Sequence, residues 1–433
     1  MSRALLVLLS VSWVGCGEAP VGDGDLAMPV MDLASPSDDL AIVPQDLAAP
    51  AADLAAPAED LAAPAADLLV VHDLSTPPDM ALPACPPGST VAPDELRCTG
   101  LYSDWNTRTI AASSRAYAPG FALWSDGAVK SRYLYLPPTT KIDVSDLNDW
   151  TFPIGTKLWK EFRVTIGGVP RKVETRFLWK ISNTGAASTD WVHTSYAWSA
   201  DETTATKLSA GMAVVPGTAS ATAIPGSSTT PYLGYEIPSE AKCAQCHGGR
   251  KDFVLSMEGV LMAAPEATGL TYAMLQVGNL LTSSNLNEDT PASSLQIPGS
   301  ATERAALGRL HTNCGVCCHN PRIASASTDQ RLRIEIDNAT KATPASALLT
   351  PSVITTVNVA VDPSSVYPVG PQFYRLRPTD TTRSGIYFRD GQREIQAQMP
   401  PLCTHAASDE IEAATAAWLT YMTPAHGYPA PAP

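Results

Sequence analysis

The chain has 433 residues, a formal charge of −14, 9 cysteines and 9 tryptophans. The charge is unevenly spread: residues 17–80 hold 13 acidic residues and no Lys or Arg, and Arg3 adds +1, which leaves −2 for residues 81–433. That nearly neutral remainder has no basic stripe, so nucleic-acid binding has no electrostatic footing.

In chain order, residues 1–16 read as an export signal. Met1-Ser2-Arg3 gives a basic start, and Ala4 to Val14 is an apolar run far too short to span a bilayer. Gly15-Cys16 follows, similar to the cleavage site of bacterial lipoproteins, in which the cysteine becomes the lipidated first residue. Trp13 departs from that pattern, and ordinary cleavage without a lipid is the competing reading. Cys16 is therefore the expected lipidation site, and the membrane a partner through it.

Residues 17–80 repeat Asp-Leu every seven residues, from Asp25-Leu26 to Asp67-Leu68. The period suggests a coiled coil, but Pro29, Pro36, Pro44, Pro50, Pro57 and Pro64 recur with it. Each proline inside a helix costs about 3 kcal/mol. With one large apolar residue per period, the segment cannot offset its ordering entropy, so a disordered tether is expected.

Residues 81–240 read as a β-rich, sandwich-like domain. Leu158-Trp-Lys-Glu-Phe-Arg-Val-Thr-Ile and Arg171-Lys-Val-Glu-Thr-Arg-Phe-Leu-Trp-Lys-Ile flank the turn signal Gly167-Gly168. Trp150 to Gly155, Tyr196 to Ser199 and Tyr232 to Ile237 suggest further strands. Its tryptophans read as core rather than as a sugar-binding platform. Residues 241–425 read as a helical haem-binding region, with helices over Ala273–Leu281, Ala301–His311 and Asp409–Met422. A β-rich insertion is expected at 330–392, from Leu332–Ile336 and Thr355–Val361. Residues 426–433 form a tail. The fold class expected is α+β, multidomain.

The most informative residues are Cys243-Ala244-Gln245-Cys246-His247. The spacing C-x-x-C-H is the attachment signature of c-type haem: each thiol takes one vinyl group and the histidine becomes the proximal iron ligand. A thioredoxin-like motif, a zinc knuckle and a structural disulfide are the competing readings. The second cluster, Cys314-Gly315-Val316-Cys317-Cys318-His319, is one residue too long. Cys314 and Cys318 form C-x-x-x-C-H, which holds a haem only if the extra residue loops out. The alternative is a disulfide or metal site. Met399, between Gln398 and Pro400-Pro401, suits the opposite axial position of that second iron. Cysteine counting leaves Cys85 with Cys98 and Cys317 with Cys403 as disulfide candidates. For the first iron, Met257, Met262, Met274, His193 and His311 stay open as the sixth ligand.

These residues resemble a bacterial family of exported diheme cytochrome c-type proteins. The resemblance rests on Ala122-Leu-Trp-Ser-Asp-Gly-Ala-Val-Lys-Ser-Arg, Asp149-Trp-Thr-Phe-Pro-Ile-Gly-Thr with Lys160-Glu-Phe, Thr175-Arg-Phe-Leu and Tyr196-Ala-Trp. It continues through Ile237 to His247, Asn313 to Pro321, and Met399-Pro-Pro-Leu with His405, covering about residues 115–420. It implies two haems c, one on Cys243, Cys246 and His247, the other on Cys314, Cys318 and His319, in a cell-envelope protein. Cys403 stands where a small residue is usual. The expected function is electron transfer with an unidentified redox protein partner. A diheme peroxidase with His193 or His311 as acid–base residue, and a glycan-binding surface lipoprotein, are the alternatives.

Overall fold

The fold is known from a computed structural model, which describes residues 84–85, 90–322, 329–362 and 366–433. The export segment, Cys16 and the Asp-Leu repeat lie outside these residues.

The centre of the fold is one antiparallel sheet of seven strands. They are β1 (Arg115–Ala118), β2 (Val129–Tyr135), β3 (Lys157–Ile166), β4 (Val169–Lys180), β5 (Trp191–Trp198), β6 (Ala205–Lys207) and β7 (Thr268–Gly269). The spatial order is β7-β1-β2-β3-β4-β5-β6. The β3–β4 hairpin forms where the aromatic and β-branched runs predicted it. Gly167 and Gly168 close it at φ +57° and +79°, a region that glycine enters without steric cost.

Alternation along the strands sends two sets of side chains to opposite faces. Trp159, Phe177, Tyr196 and Trp198 meet Leu96, Leu101 and Tyr102 on one face. Leu134 and Leu158 meet Phe253, Met257 and Leu307 on the other. Both faces are thus covered by loops and short helices, not by a second large sheet, and the expected sandwich is corrected to a single covered sheet. Of the six tryptophans between 124 and 198 read as core, Trp150, Trp159, Trp191 and Trp198 are buried, while Trp124 and Trp179 are half-buried.

The helices that follow include α1 (Glu240–His247), α2 (Gly259–Ala263), α3 (Tyr272–Val277), α4 (Ala301–Leu310), α5 (Gly385–Asp390) and α6 (Asp409–Tyr421). The last three-turn helices behave as read from sequence. Ser300 and Glu303 form a reciprocal capping box at the start of α4. Trp418 and Leu419 of α6 join Ala306, Leu307 and Leu310 of α4 in the main core. The β-rich insertion expected at 330–392 is not formed. Among its described residues there are isolated bridges and short helical turns, with Lys341, Asn358 and Thr379 at positive φ. Apolar alternation there (Leu332, Ile334 and Ile336 are buried) serves an irregular segment laid on the core.

Residues 85–433 form one compact unit. The boundary expected at 240/241 is no break in the core, because β7 from the later segment completes the sheet edge against β1. Residues of the 426–433 tail also dock: Tyr374 and Arg377 donate hydrogen bonds to the carbonyls of Pro433 and Ala432. Among the described residues no helix is long and apolar enough to cross a membrane.

Candidate functional site

The first motif occupies α1. Ser239 caps the helix by accepting from the Lys242 amide. Spacing of three residues puts Cys243 and Cys246 on one helical face. His247 ends the helix, and its Nδ1 lies 2.6 Å from the carbonyl oxygen of Phe253. With that nitrogen donating, the Nε2 lone pair is left to bind a metal. Burial drives the imidazole pKa down to about 3, so the ring is neutral. Phe253 holds φ +62°, unusual for an aromatic residue, and its own burial keeps it there. Burial also pushes the Cys243 thiol up to about 11. That is the opposite direction to the lowered pKa of a thioredoxin-like nucleophile.

The second motif continues from α4. The helix widens into a π turn over His311–Gly315, in which the Val316 amide donates to the His311 carbonyl at 2.8 Å. The pattern repeats once more, with the His319 amide donating to the Cys314 carbonyl at 2.8 Å. Both bonds span five residues, so the wide turn absorbs the extra residue of C-x-x-x-C-H. A side chain at 315 is impossible without movement, since a Cβ there would lie 2.4 Å from the Arg333 nitrogen. The position at which an ordinary motif carries cysteine is therefore barred.

Cys314, Cys318 and His319 line a cavity of about 650 Å³, within the roughly 300–1,000 Å³ range of ligand sites. Met399, Pro400 and Pro401 line it as well, together with Arg375, Arg389 and Asp390. Cys317 instead packs with Leu255, Leu261 and Val316, against which Cys246 and Cys318 also lie. The two motifs thus share one small apolar cluster. Cys85 and Cys98 are disulfide-bonded as expected. The expected Cys317–Cys403 bridge is not formed: the Cys317 sulfur faces that of Cys318 at 3.0 Å, and the Cys403 thiol, raised first by burial and then by Glu236 and Cys246, lies beside the first motif. Among the described residues, no three His, Cys, Asp or Glu side chains converge as a metal site.

The donor set fits a c-type haem at both motifs. At the second, two thiols, an imidazole, a thioether and two guanidiniums for propionates surround an open cavity. At the first, a cavity lined by Cys243 and His247 is only about 40 Å³, so the donors fit there while the volume is small.

Sequence reasoning missed what the Ala122–Gly127 segment does. The Trp124 amide donates to Asn313 Oδ1 at 2.7 Å, and the Trp124 indole donates to the Ala406 carbonyl at 2.7 Å. Asp126 accepts from the amides of His405 and Ala406. One loop therefore ties the second motif to the chain following Met399. His405, singled out in the sequence, is held by Glu394 at 2.5 Å and Glu236 at 3.3 Å rather than aimed at the cavity. The hydrogen bond that His405 donates to Glu236 is the main reason its pKa rises to about 9. A histidine raised above its ordinary value of about 6.5 stabilises the fold below that pH, and the contribution disappears as pH rises through 9. His405→Gln is expected to lower stability at pH 6 by about 1–2 kcal/mol after solvent screening, and to have no effect at pH 10, as read by urea denaturation.

His311 is fully buried, and both its nitrogens are committed: Nδ1 accepts from the Ile334 amide at 2.9 Å, and Nε2 lies 3.2 Å from Glu258 Oε1. It is a structural hub, not the acid–base residue or sixth ligand considered above. Comparison with protein-family models, curated proteins and solved structures finds no match to this chain.

Proposed function

We propose that this protein is an exported c-type cytochrome that carries single electrons, with haem bound at Cys314–His319 and at Cys243–His247. What carries the reading is the cavity bordered at once by Cys314, Cys318, His319 and Met399. The thiols of Cys314 and Cys318 would each add S–H across a vinyl double bond, so nothing is released. His319 and Met399 would ligate the iron, and Arg375 and Arg389 would meet the propionates. The bound group supplies reversible one-electron chemistry, tuned by its axial ligands and burial. Proximity of the two motifs through the Cys246, Cys317 and Cys318 cluster suits electron passage between the sites. The helical haem region is cytochrome c-like in this reading, and the protein belongs with the diheme family it resembles.

Of the two acid–base candidates for a peroxidase, His311 has no nitrogen to spare. Burial of Trp150, Trp159, Trp191 and Trp198 disfavours a glycan platform. Its place would be the cell envelope, as a lipoprotein anchored through Cys16 or as a periplasmic protein, exchanging electrons with a redox protein partner. Met399→Ala provides the test. It is expected to abolish the sulfur-to-iron charge-transfer band and lower one of two reduction potentials by about 0.1 V or more, within the roughly 0.8 V range that axial ligands span. An unchanged band and potential would remove Met399 from the iron.

A further inference from the structure

Met399 reaches the second cavity on the chain that follows α5, and that chain closes on itself. The Met399 amide donates to the Arg389 carbonyl at 3.1 Å, so the loop starts and finishes at the last turn of α5. Arg389 Nε donates to the Ala397 carbonyl at 2.9 Å. Arg393 Nη1 donates to the carbonyls of Asp390, Gln392 and Met399 at 2.6, 2.5 and 3.3 Å. Both backbone polar groups of Met399 are thus tied to α5 and its continuation, while Ile386, Arg389 and Asp390 of α5 line the same cavity as Met399.

Gln398, half-buried and immediately before Met399, completes the loop. Its Oε1 accepts from the Glu394 amide at 2.8 Å, and its Nε2 donates to the carbonyls of Pro400 and Thr404 at 3.0 and 2.8 Å. An amide can only donate and a carbonyl only accept, so these three partners fix the orientation of the carboxamide. One side chain therefore joins the chain before the methionine to the chain after it. Thr404 also leads into His405 and Ala406, whose amides are held by Asp126, so Gln398 links the methionine loop to that clamp. A thioether is a weak, neutral donor on a side chain with three rotatable bonds, so it stays on a metal only as firmly as its backbone is held. Supporting hydrogen bonds of this kind supply that hold in advance.

We infer that Gln398 is the positioning residue for Met399, holding its thioether against displacement by competing ligands. The inference rests on haem attachment at Cys314 and Cys318 with Met399 on that iron.

The test titrates ferric holoprotein with imidazole and follows loss of the sulfur-to-iron band, with haem peptides located by mass spectrometry. Gln398→Met keeps the side-chain length and removes all three hydrogen bonds. Each such bond shifts an opening equilibrium by roughly fivefold, so this variant is expected to bind imidazole about tenfold or more tightly than wild type. Gln398→Glu keeps the acceptor for Glu394 but sets an oxygen against two carbonyls, and a change in the same direction is expected. Gln392→Ala is the control: that side chain lies in the same loop, donates to the Phe388 carbonyl at 3.2 Å, and its loss is expected to leave imidazole affinity unchanged. Wild-type imidazole affinity in both Gln398 variants, even with a lowered denaturant midpoint, would reduce Gln398 to a merely structural residue and overturn the inference. An equal gain in Gln392→Ala would overturn it too. Absence of the band, or of haem on the Cys314–Cys318 peptide, in wild type would instead overturn the reading on which it rests.

Discussion

The double variant Cys314→Ser/Cys318→Ser is expected to lose one covalent haem per chain, whereas Cys317→Ser is expected to keep both. The difference follows from where the three sulfurs lie. Cys314 and Cys318 border the large cavity with His319, while Cys317 is turned into the Leu255, Leu261 and Val316 cluster. Ordinary spacing would favour Cys314 with Cys317, three residues apart. The wide turn reverses this choice: the His319 amide reaches back five residues to Cys314, and Cys318, immediately before it, takes the cavity position. Intact mass after denaturation reads the result, because only thioether-bound haem survives. Loss of haem from Cys317→Ser, with retention in Cys318→Ser, would show that the motif is used as C-x-x-C.

Glu258→Ala is expected to cost about 3–5 kcal/mol of stability, since it breaks a buried ionic network and leaves charge uncompensated. Glu258 is fully buried, accepts from the Leu261 amide at 2.8 Å, and faces His311 at 3.2 Å and Arg333 at 3.6 Å. Arg333 continues to Asp149, which also holds Arg250 at 3.1 Å and Arg322 at 2.7 Å. The network thus joins the loop after β2 to both cysteine motifs: Arg250 follows the first by three residues, and His311 begins the turn of the second. Denaturant midpoints give the measurement. Glu410→Ala is the control: its ion pair with Arg309 is on the surface, Glu410 being 72% exposed, and its loss is expected to cost about 0–1 kcal/mol. Equal costs for the two variants would contradict the account of the network.

The sequence was most legible where local signals sufficed. Gly167-Gly168 between two strand-like runs marked the hairpin, and Ser300 with Glu303 marked the start of α4. The C-x-x-C-H spacing marked a site whose His247 has the tautomer a metal ligand needs. What was not legible depends on register and closure. The runs at 332–336 and 355–361 have the alternation of strands, yet the first joins no sheet and the second makes only isolated bridges to Tyr374 and Leu376, so both lie as irregular chain on the core. Arg132, Lys160 and Arg176 are unremarkable one by one, and become a charged row only when three strands align. Asp126 and Trp124 were visible as a motif, but their task of clamping Asn313 and Ala406 needs contacts across almost 190 and about 280 residues. The Cys317–Cys403 pairing failed because counting cysteines ignores which way each side chain faces.

The most direct test is the intact mass of mature protein produced with cytochrome c maturation machinery and denatured before measurement. Two added haems per chain is the predicted result, with the tryptic peptides containing Cys243–Cys246 and Cys314–Cys318 each carrying one. A chain that gains no haem mass would contradict the cytochrome reading.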